Sequence, residues 1–334
     1  MAIQYGIELE MQNVTASEAW NAVDGASPDT GPIGRCVYGW HSSEAPSPSE
    51  GSDGEWFTMR DGSLNGYPCG THTKGNVELV SPILYGEAGV REMKRVLTRI
   101  NASGATVDRS CGTHITVGLN NNSRWNRLSL AGKVKVANRV VDFYNHFTPV
   151  FDAMSPNCRQ MGGAGMSVGM CAPENITENR NQSTRYTAVN LSNYILYGEG
   201  VGRIEFRQPG YTLDAKKITL WLKIIGRIIS MALNENHCSR AYDLYEMPQT
   251  VTGMTTYLGL GPALEARLRA RITELYTNHR RNRVARLCVL QQEGEGCSRC
   301  SGQDPEYVES SHPNGNDYLY EHCPDCGAEW SEVA

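Results

Sequence analysis

The fold class follows from the alternation in Ile3-Gln4-Tyr5-Gly6-Ile7-Glu8-Leu9-Glu10-Met11, where every second residue is apolar. A β-strand sends successive side chains to opposite faces, so this segment predicts a strand with one apolar face and one face that carries Glu8 and Glu10. The same period recurs in residues 76–80, 113–119 and 203–207. Four such strands predict a sheet that packs on helices and leaves a polar face in front.

Helical periodicity supplies the layer behind that sheet. Apolar residues recur every three or four positions in residues 90–104, 130–154 and 215–233, and again from Pro262 onward. The second of these helices is expected to continue at least as far as Pro149. Strands and helices together predict an α+β layered fold.

Composition limits the class of protein. The chain has 334 residues and a mass of 36.9 kDa, which predicts one large domain with a small one, or two of moderate size. Its net charge of −5 argues against a polycation that coats nucleic acid. The sequence shows neither a secretory signal nor a run of about 18 apolar residues, and its eleven cysteines are an odd count. We therefore expect a cytoplasmic protein without membrane contact, whose cysteines are free thiols or metal ligands.

The polar faces of the four strands concentrate negative charge. Glu8 and Glu10 lie on the first strand, and Glu78, His114 and Glu205 lie on the other three. Two carboxylates about 4 Å apart repel by roughly 4 kcal/mol at an effective dielectric near 20. Either these acids take up protons or divalent cations lie among them, and carboxylates with one imidazole suit Mg²⁺ or Mn²⁺ better than zinc. The alternative is that these are ordinary solvated faces of an antiparallel sheet.

Arginines flank the acid of the last strand. Arg203 and Arg207 lie on either side of Glu205 and would complement a bound anion, with phosphate as the natural candidate. Metal ions, arginines and phosphate are the components of phosphoryl transfer. The residues alone thus predict a metal-dependent enzyme that handles phosphate.

Six short motifs occur in an order that resembles the amidoligase branch of the carboxylate–amine ligases. They are Tyr5-Gly6-Ile7-Glu8-Leu9-Glu10, Asp61-Gly62-Ser63-Leu64, Val77-Glu78-Leu79-Val80-Ser81-Pro82, Cys111-Gly112-Thr113-His114-Ile115-Thr116-Val117-Gly118, Tyr186-Thr187-Ala188-Val189-Asn190-Leu191 and Ile204-Glu205-Phe206-Arg207. The resemblance spans about residues 3–235. It implies the fold shared by glutamine synthetase and γ-glutamylcysteine ligase, in which an antiparallel sheet has helices on one face.

The resemblance also implies an activity. ATP would phosphorylate a substrate carboxylate, and an amine would then displace phosphate from the acyl phosphate to leave an amide or isopeptide bond. The substrates would be amino acids, peptides or proteins. The Mg²⁺ or Mn²⁺ ions that bridge the ATP phosphates would be held by five side chains: Glu8, Glu10, Glu78, His114 and Glu205. Family members commonly show His-x-His in the central strand, and Thr116 takes the second place here.

Further roles follow from the same resemblance. Arg207 would stabilise charge on the transferring phosphoryl group, with Glu205 beside it in the catalytic centre. Arg185 and Asn190 would contact ATP or the substrate. Asp61 would meet the amine substrate, unless the Asp-Gly-Ser segment only forms a turn.

The C-terminal part carries a separate metal pattern. Two Cys-x-x-Cys pairs are separated by residues 301–322 and consist of Cys297, Cys300, Cys323 and Cys326. Four thiolates at this spacing suit a tetrahedral structural Zn²⁺, as in a zinc ribbon. Redox use of either pair is the alternative, although no thioredoxin-like pattern lies nearby. Zinc would supply much of the stability of so small a module.

These features predict three regions. Residues 1–260 would form the amidoligase-like catalytic domain with a flexible insertion at about 27–55, residues 261–290 a basic helix and linker, and residues 291–334 the zinc ribbon. The middle region holds seven arginines: Arg267, Arg269, Arg271, Arg280, Arg281, Arg283 and Arg286. They form either a solvated helix face that packs on the acidic domain, or a docking site, shared with the ribbon, for an anionic partner such as tRNA, another nucleic acid or an acidic peptide.

Two other functions remain compatible with the sequence. A kinase of the same fold would transfer phosphate to its substrate without forming an amide. A zinc-ribbon binding protein with an inactive ligase core would bind nucleic acid but not ATP. The acids at every expected metal position argue against the inactive binding protein, whereas the mass of the product distinguishes the ligase from the kinase.

Overall fold

The structure of the chain is a computed structural model. The residues that it describes are 4–23, 56–59, 64, 66–70, 72–156, 159–161, 170–196, 199–234, 243–278, 306–311, 317–322 and 329–332. The predicted insertion at 27–55, Asp61 and the four cysteines of the predicted zinc site lie outside these ranges.

Twelve strands and eight α-helices lie in the described ranges. In chain order they are β1 (Gln4–Val14), α1 (Ala16–Val23), β2 (Phe57–Met59), β3 (Gly75–Val80), β4 (Leu84–Tyr85), α2 (Gly86–Ala102), β5 (Thr113–Gly118), α3 (Ser123–Asn126), α4 (Leu130–His146), α5 (Thr148–Ala153), β6 (Val189–Asn190), β7 (Ile195–Leu196), β8 (Glu199–Gly200), β9 (Arg203–Phe206), α6 (Ala215–Ala232), α7 (Val251–Leu258), α8 (Pro262–Asn278), β10 (Glu306–Ser311), β11 (Asp317–His322) and β12 (Glu329–Glu332).

The chain divides into two compact units. The first contains Met1–Asp142 and Met170–Leu233, and the second contains Phe143–Gly169 and Asn234–Ala334. Both units are therefore assembled from two separate stretches of chain. The division into three regions at residues 260 and 290 stays a prediction.

The first unit is built on a seven-stranded sheet. Its strand order is β2-β3-β1-β5-β9-β6, with β4 paired to β1 off this path, and every pair is antiparallel. The long strand β1 lies between β3 and β5. Helices accompany this sheet in the same unit, so the predicted α+β class with an antiparallel sheet is confirmed.

The apolar face of the sheet lies in the core. Ile7, Leu9 and Met11 of β1 are each 0% exposed. Helices α2 and α6 lie next to each other, and each buries one apolar face. Burying a side chain of this size contributes about 1.5–3 kcal/mol, so the alternation in β1 is a main source of the unit's stability.

Three of the predicted helices begin or end where the sequence indicates. Helix α2 has Ser103 as its C-cap, and Gly104 follows with a φ of 83°, a left-handed conformation that favours glycine. Helix α6 begins after Asp214, whose side chain accepts a hydrogen bond from the backbone N–H of Lys216. Helix α8 begins at Pro262, as predicted.

The prediction of one helix from Leu130 at least to Pro149 is wrong. Helix α4 ends at His146, and α5 begins at Thr148 with Pro149 in its first turn. Proline lacks the backbone N–H that a continuous helix needs at this position, and its ring clashes with the preceding turn. The helix is therefore interrupted before the proline.

An aromatic cluster forms the core of the second unit. The ring of Phe143 lies 4.9 Å from that of Phe147 and 5.8 Å from that of Tyr257, measured between centroids. Phe151 stacks on Tyr144 with ring centroids 3.8 Å apart. Aromatic pairs of this kind contribute about 0.5–1.5 kcal/mol each beyond the burial of their surface.

Helix α8 of the second unit carries part of the arginine-rich segment. Arg269 pairs with Glu265 at 3.0 Å, and Arg271 pairs with Glu274 at 2.9 Å. Two of the arginines predicted to face solvent or an anionic partner are therefore already paired within their own helix.

The C-terminal strands form a separate three-stranded antiparallel sheet in the order β10-β11-β12. In sequence, Cys297 and Cys300 precede this sheet, and Cys323 and Cys326 lie in the connection between β11 and β12. Among the helices in the described ranges, none is long and apolar enough to span a membrane.

Candidate active site

The register of the sheet brings the predicted acidic residues onto one face. Glu8 lies opposite His114 across β1 and β5, and Glu10 lies opposite Glu78 across β1 and β3. Strand β9 continues the face, because Glu205 lies opposite Thr116 of β5. The period of two within each strand keeps these side chains on the same side of the sheet.

His114 lies at the centre of this acidic face. Its Nδ1 atom is 3.0 Å from Oε2 of Glu8 and 3.6 Å from Oε1 of Glu205. On the other side of the ring, Nε2 is 3.8 Å from Oε1 of Glu10. The side chain of His114 is 4% exposed, so these carboxylates rather than water surround the imidazole.

Glu8, His114 and Glu205 form a cluster that could hold a divalent cation. One ligand atom from each residue lies within 4.8 Å of the others. Two carboxylates at that separation repel by about 3.5 kcal/mol at an effective dielectric near 20, and a cation between them reverses the sign of the interaction. Two carboxylates with one imidazole nitrogen are a donor set that fits Mg²⁺ or Mn²⁺.

Deeper in the sheet lies a second pair of acids, of which Glu10 faces Nε2 of His114. Glu10 and Glu78 lie directly opposite each other, and they are 4% and 1% exposed. Two carboxylates so far from water are costly to keep charged unless a proton or a cation lies between them. The acidic face therefore offers an outer position at Glu8 and Glu205 and an inner position at Glu10 and Glu78.

Both oxygens of Glu205 are held by neighbouring side chains. Asn190 Nδ2 donates a hydrogen bond to Oε2 at 2.6 Å, and Arg207 Nη1 donates to Oε1. Asn190 itself is fixed, because its Oδ1 accepts a hydrogen bond from the backbone N–H of Ser192 at 2.9 Å. The amide that the sequence assigned to ATP or substrate thus contacts a candidate metal ligand.

A buried glutamine supports the loop that carries Asn190. Gln182 Oε1 accepts hydrogen bonds from the backbone N–H of Leu191 at 2.8 Å and from the hydroxyl of Thr187 at 3.2 Å. Gln182 is 7% exposed and Thr187 is 0% exposed. These contacts fix the backbone on both sides of Asn190, and hence the direction in which its amide points.

A cavity of about 550 Å³ lies over the acidic face. Its walls include the carboxylates of Glu8, Glu78 and Glu205, and among the described residues that line it Arg203 is the only one with a cationic side chain. On the β2 and β3 side the wall is apolar, with Phe57 and Val80 among its residues. The cavity therefore combines metal-ligating oxygens, one cation and an apolar wall, a combination typical of small-molecule sites.

Two of the sequence-based candidates are not brought to this cavity. Arg185 is exposed and does not line it, and its guanidinium lies 5.4 Å from the ring centroid of Tyr186. Asp61 lies outside the described residues. The roles assigned to both stay predictions.

Some cavity residues carry no strong signal in the sequence. Phe57 and Met59 belong to the three-residue strand β2, which is too short for a period of two to be recognised. Asn193 follows the Tyr-Thr-Ala-Val-Asn-Leu motif by two residues. Its position close to that motif is the signal that could have identified it.

Cys111 precedes His114 but does not belong to the site. Its thiol is 0% exposed, and burial raises its pKa to about 11. A thiol with such a pKa is protonated at neutral pH and is a poor nucleophile.

Comparisons with known proteins show which family the sequence resembles. The sequence model of a family described as "Putative amidoligase enzyme" matches residues 2–141, which contain Glu8, Glu10, Glu78 and His114. The motifs around Asn190 and Glu205 lie beyond the matched residues. No curated protein matches the chain in sequence.

Nineteen chains of solved structures match. One is a bifunctional glutathione synthetase from Pasteurella multocida, with 12% identity, a TM-score of 0.41 and coverage of 90% of this chain and 51% of that one. Another is a novel glutamine synthase homolog, with 12% identity, a TM-score of 0.35 and coverage of 83% of this chain and 65% of that one. The chain thus spans about half the length of the first and 65% of the second. By its sequence, the segment of residues 2–141 is thus similar to the amidoligase family.

Proposed function

We propose that the chain is an ATP-dependent carboxylate–amine ligase that forms an amide or isopeptide bond. The observation that carries this proposal is the cluster of Glu8, His114 and Glu205, two of whose members, Glu8 and Glu205, line a cavity, in a chain whose residues 2–141 match the amidoligase family. The family supplies the reaction type, and the cluster supplies the donor set that the nucleotide's divalent cation requires.

Five side chains would hold the metal ions. Glu8, His114 and Glu205 would hold a Mg²⁺ or Mn²⁺ ion at the outer position, and Glu10 and Glu78 would hold a second ion at the inner one. His114 separates the two positions, since its two ring nitrogens face different carboxylates. These cations would supply charge neutralisation for the phosphates of ATP.

Arg207 and Asn190 would act through Glu205. Both donate hydrogen bonds to its carboxylate, and both thereby fix the direction in which its oxygens face the cavity. Arg207 also places a positive charge next to the site, which would stabilise negative charge that develops on a transferring phosphoryl group. Asn190 would thus position the carboxylate of Glu205, and this role does not need a direct contact between Asn190 and ATP.

The chemistry has two steps in this proposal. An oxygen of the substrate carboxylate attacks the γ-phosphorus of ATP, which gives an acyl phosphate and ADP. The amine then attacks the acyl carbon, the C–O bond to phosphate breaks, and the amine loses a proton. Phosphorylation is needed because a carboxylate oxygen is a poor leaving group. Asp61 as a contact of the amine remains a prediction from the family resemblance.

A test uses the purified full-length chain with ATP, Mg²⁺ and a panel of amino acids, polyamines and peptides. We expect phosphate release that requires both a carboxylate and an amine, together with a product whose mass is that of the condensed pair. A phosphorylated product without condensation would instead identify a kinase. Retained activity in the Glu8→Ala, Glu205→Ala double variant would contradict the assigned site.

For the C-terminal part we propose a structural Zn²⁺ bound by Cys297, Cys300, Cys323 and Cys326. The three-stranded sheet that lies next to these cysteines in sequence supports this, because zinc ribbons are small modules of this kind. By sequence, β10–β12 contain six acidic residues and neither Lys nor Arg. An anionic partner would therefore be repelled by this sheet and would have to dock on the arginines between residues 267 and 286.

A further inference from the structure

Gly6 occupies an unusual position on the functional face. It lies inside β1, between Gln4 and Glu8 on the same side of the strand, and it lines the cavity. A Cβ atom built on Gly6 would meet no other atom within 4 Å. Glycine weakens a strand interior because it has no side chain to pack, and in a strand it often marks a place where a ligand approaches the backbone.

On the side of β5, the neighbours of this open space are polar. Thr116 lies directly opposite Gly6, and Glu205 and then Asn190 follow on the next strands in the same row. On the other side of β1 the lining is apolar, with Val80 and Ile83 among its residues. An occupant of the space above Gly6 would thus meet hydroxyl, carboxylate and amide groups on the side of β5, β9 and β6, which suits a polar group.

The same space adjoins the candidate cation position. Gly6 and Glu8 are two residues apart on one strand face, a separation of roughly 7 Å along the strand. Glu205 belongs both to the row of Gly6 and to the cluster with Glu8 and His114. A group that is bound to a cation at that cluster and extends along the row of Thr116 and Glu205 would lie over Gly6, and a phosphate is the polar anionic group that the proposed reaction brings there.

We propose that Gly6 determines whether a phosphate group fits in the site. Because Gly6 has no side chain, its backbone leaves room for a cation-bound phosphate group. A side chain at this position would occupy the space of that phosphate. The proposal rests on the proposed function, because it needs a cation and a phosphate-bearing ligand at the acidic face. The floor of the site is then main chain at Gly6, and a substitution there lowers the affinity for the phosphate-bearing ligand rather than the affinity for the metal ion.

The test compares Gly6→Ala and Gly6→Val with wild-type protein, and it measures Mn²⁺ affinity and MgATP affinity separately. Gly261→Ala is the matched control, because a Cβ at Gly261 also meets no atom within 4 Å, while Gly261 lies between α7 and α8 and does not line the cavity. Far-UV circular dichroism and thermal unfolding establish that each variant is folded. Gly6 does not have a positive φ, so alanine fits its backbone conformation.

We expect Gly6→Ala to bind Mn²⁺ within about twofold of the wild type and to bind MgATP about tenfold more weakly or worse, with a larger loss in Gly6→Val, because inserted methyl groups are costly in a filled site. Gly261→Ala should match the wild type in both. Equal MgATP affinity in wild type and Gly6→Ala would overturn this inference alone, as would a folded Gly6→Ala that has lost Mn²⁺. A wild type that binds neither Mn²⁺ nor MgATP would overturn the proposed function, and this inference with it.

Discussion

Replacing Asn190 by alanine removes the amide that holds one oxygen of Glu205. The hydrogen bond measures 2.6 Å from Nδ2 to Oε2, Asn190 is 7% exposed, and the side chain of Glu205 is 16% exposed. A hydrogen bond to a charged group contributes about 1.5–3 kcal/mol, and little water can take its place at this exposure. Since about 1.4 kcal/mol corresponds to a factor of ten, we expect Mn²⁺ affinity to fall about 10- to 100-fold. Losing a group that orients a metal ligand typically costs the same amount.

The assay is a titration of Mn²⁺ into the full-length protein, followed by electron paramagnetic resonance of the free ion. Asn193→Ala is the matched control, because Asn193 is also an asparagine that lines the cavity but is exposed and is not hydrogen-bonded to Glu205. We expect its Mn²⁺ affinity to equal that of the wild type. Thermal unfolding of both variants shows whether the fold is intact.

Two outcomes would refute the positioning role of Asn190. If the folded Asn190→Ala variant binds Mn²⁺ within about twofold of wild type, the hydrogen bond to Glu205 does not orient a metal ligand. If Mn²⁺ binding is unchanged while MgATP affinity falls, the direct contact with nucleotide that the family resemblance implies is the better interpretation.

Three further predictions concern other parts of the chain. Glu18 and Thr15 cap α1 reciprocally, and the hydrogen bond from the backbone N–H of Thr15 lowers the pKa of Glu18 below its ordinary value of 4.5. Glu18→Ala should therefore reduce the free energy of unfolding by about 1 kcal/mol at pH 7. Urea titrations should show this difference between variant and wild type shrinking as the pH falls below 4.5 through the folded-state pKa of Glu18. A difference that stays the same at every pH would contradict the assignment. Iodoacetamide at neutral pH should label the exposed Cys171 but not the buried Cys111, which peptide mapping would show, and equal labelling of both thiols would refute the assigned pKa. The Cys323→Ser, Cys326→Ser double variant should lose about one Zn²⁺ per chain in elemental analysis, whereas unchanged zinc content would exclude the ribbon.

Much of the acidic face could be predicted from local sequence. Glu8, Glu10, Glu78, His114 and Glu205 were each assigned to the polar side of a strand from the period of two alone, and the register places all five on one face. This worked because alternation along a strand is a local property of the backbone, which any short segment reveals.

Contacts between distant segments could not be predicted in this way. Asn190 was assigned to ATP or substrate, and its partner Glu205 becomes evident only when β6 pairs with β9. Arg185, five residues earlier, lies in the same motif region but is exposed outside the cavity. Proximity in sequence to a motif does not determine which way a loop side chain points, because loops lack a fixed periodicity.

Local sequence predicts four of the strands (β1, β3, β5 and β9) with the polar side of each, four of the eight described helices (α2, α4, α6 and α8) and, through its motifs, a resemblance to the amidoligase family that a match over residues 2–141 supports. Tertiary structure is needed to place His114 between Glu8 and Glu205 on one side of its ring and Glu10 on the other, since its contact with Glu8 joins residues 106 positions apart. The same holds for the open space above Gly6, which exists because of what surrounds it on neighbouring strands. The physical reason is that periodicity is written along the chain, whereas a site is formed across strands, by a register that depends on the packing of the whole sheet.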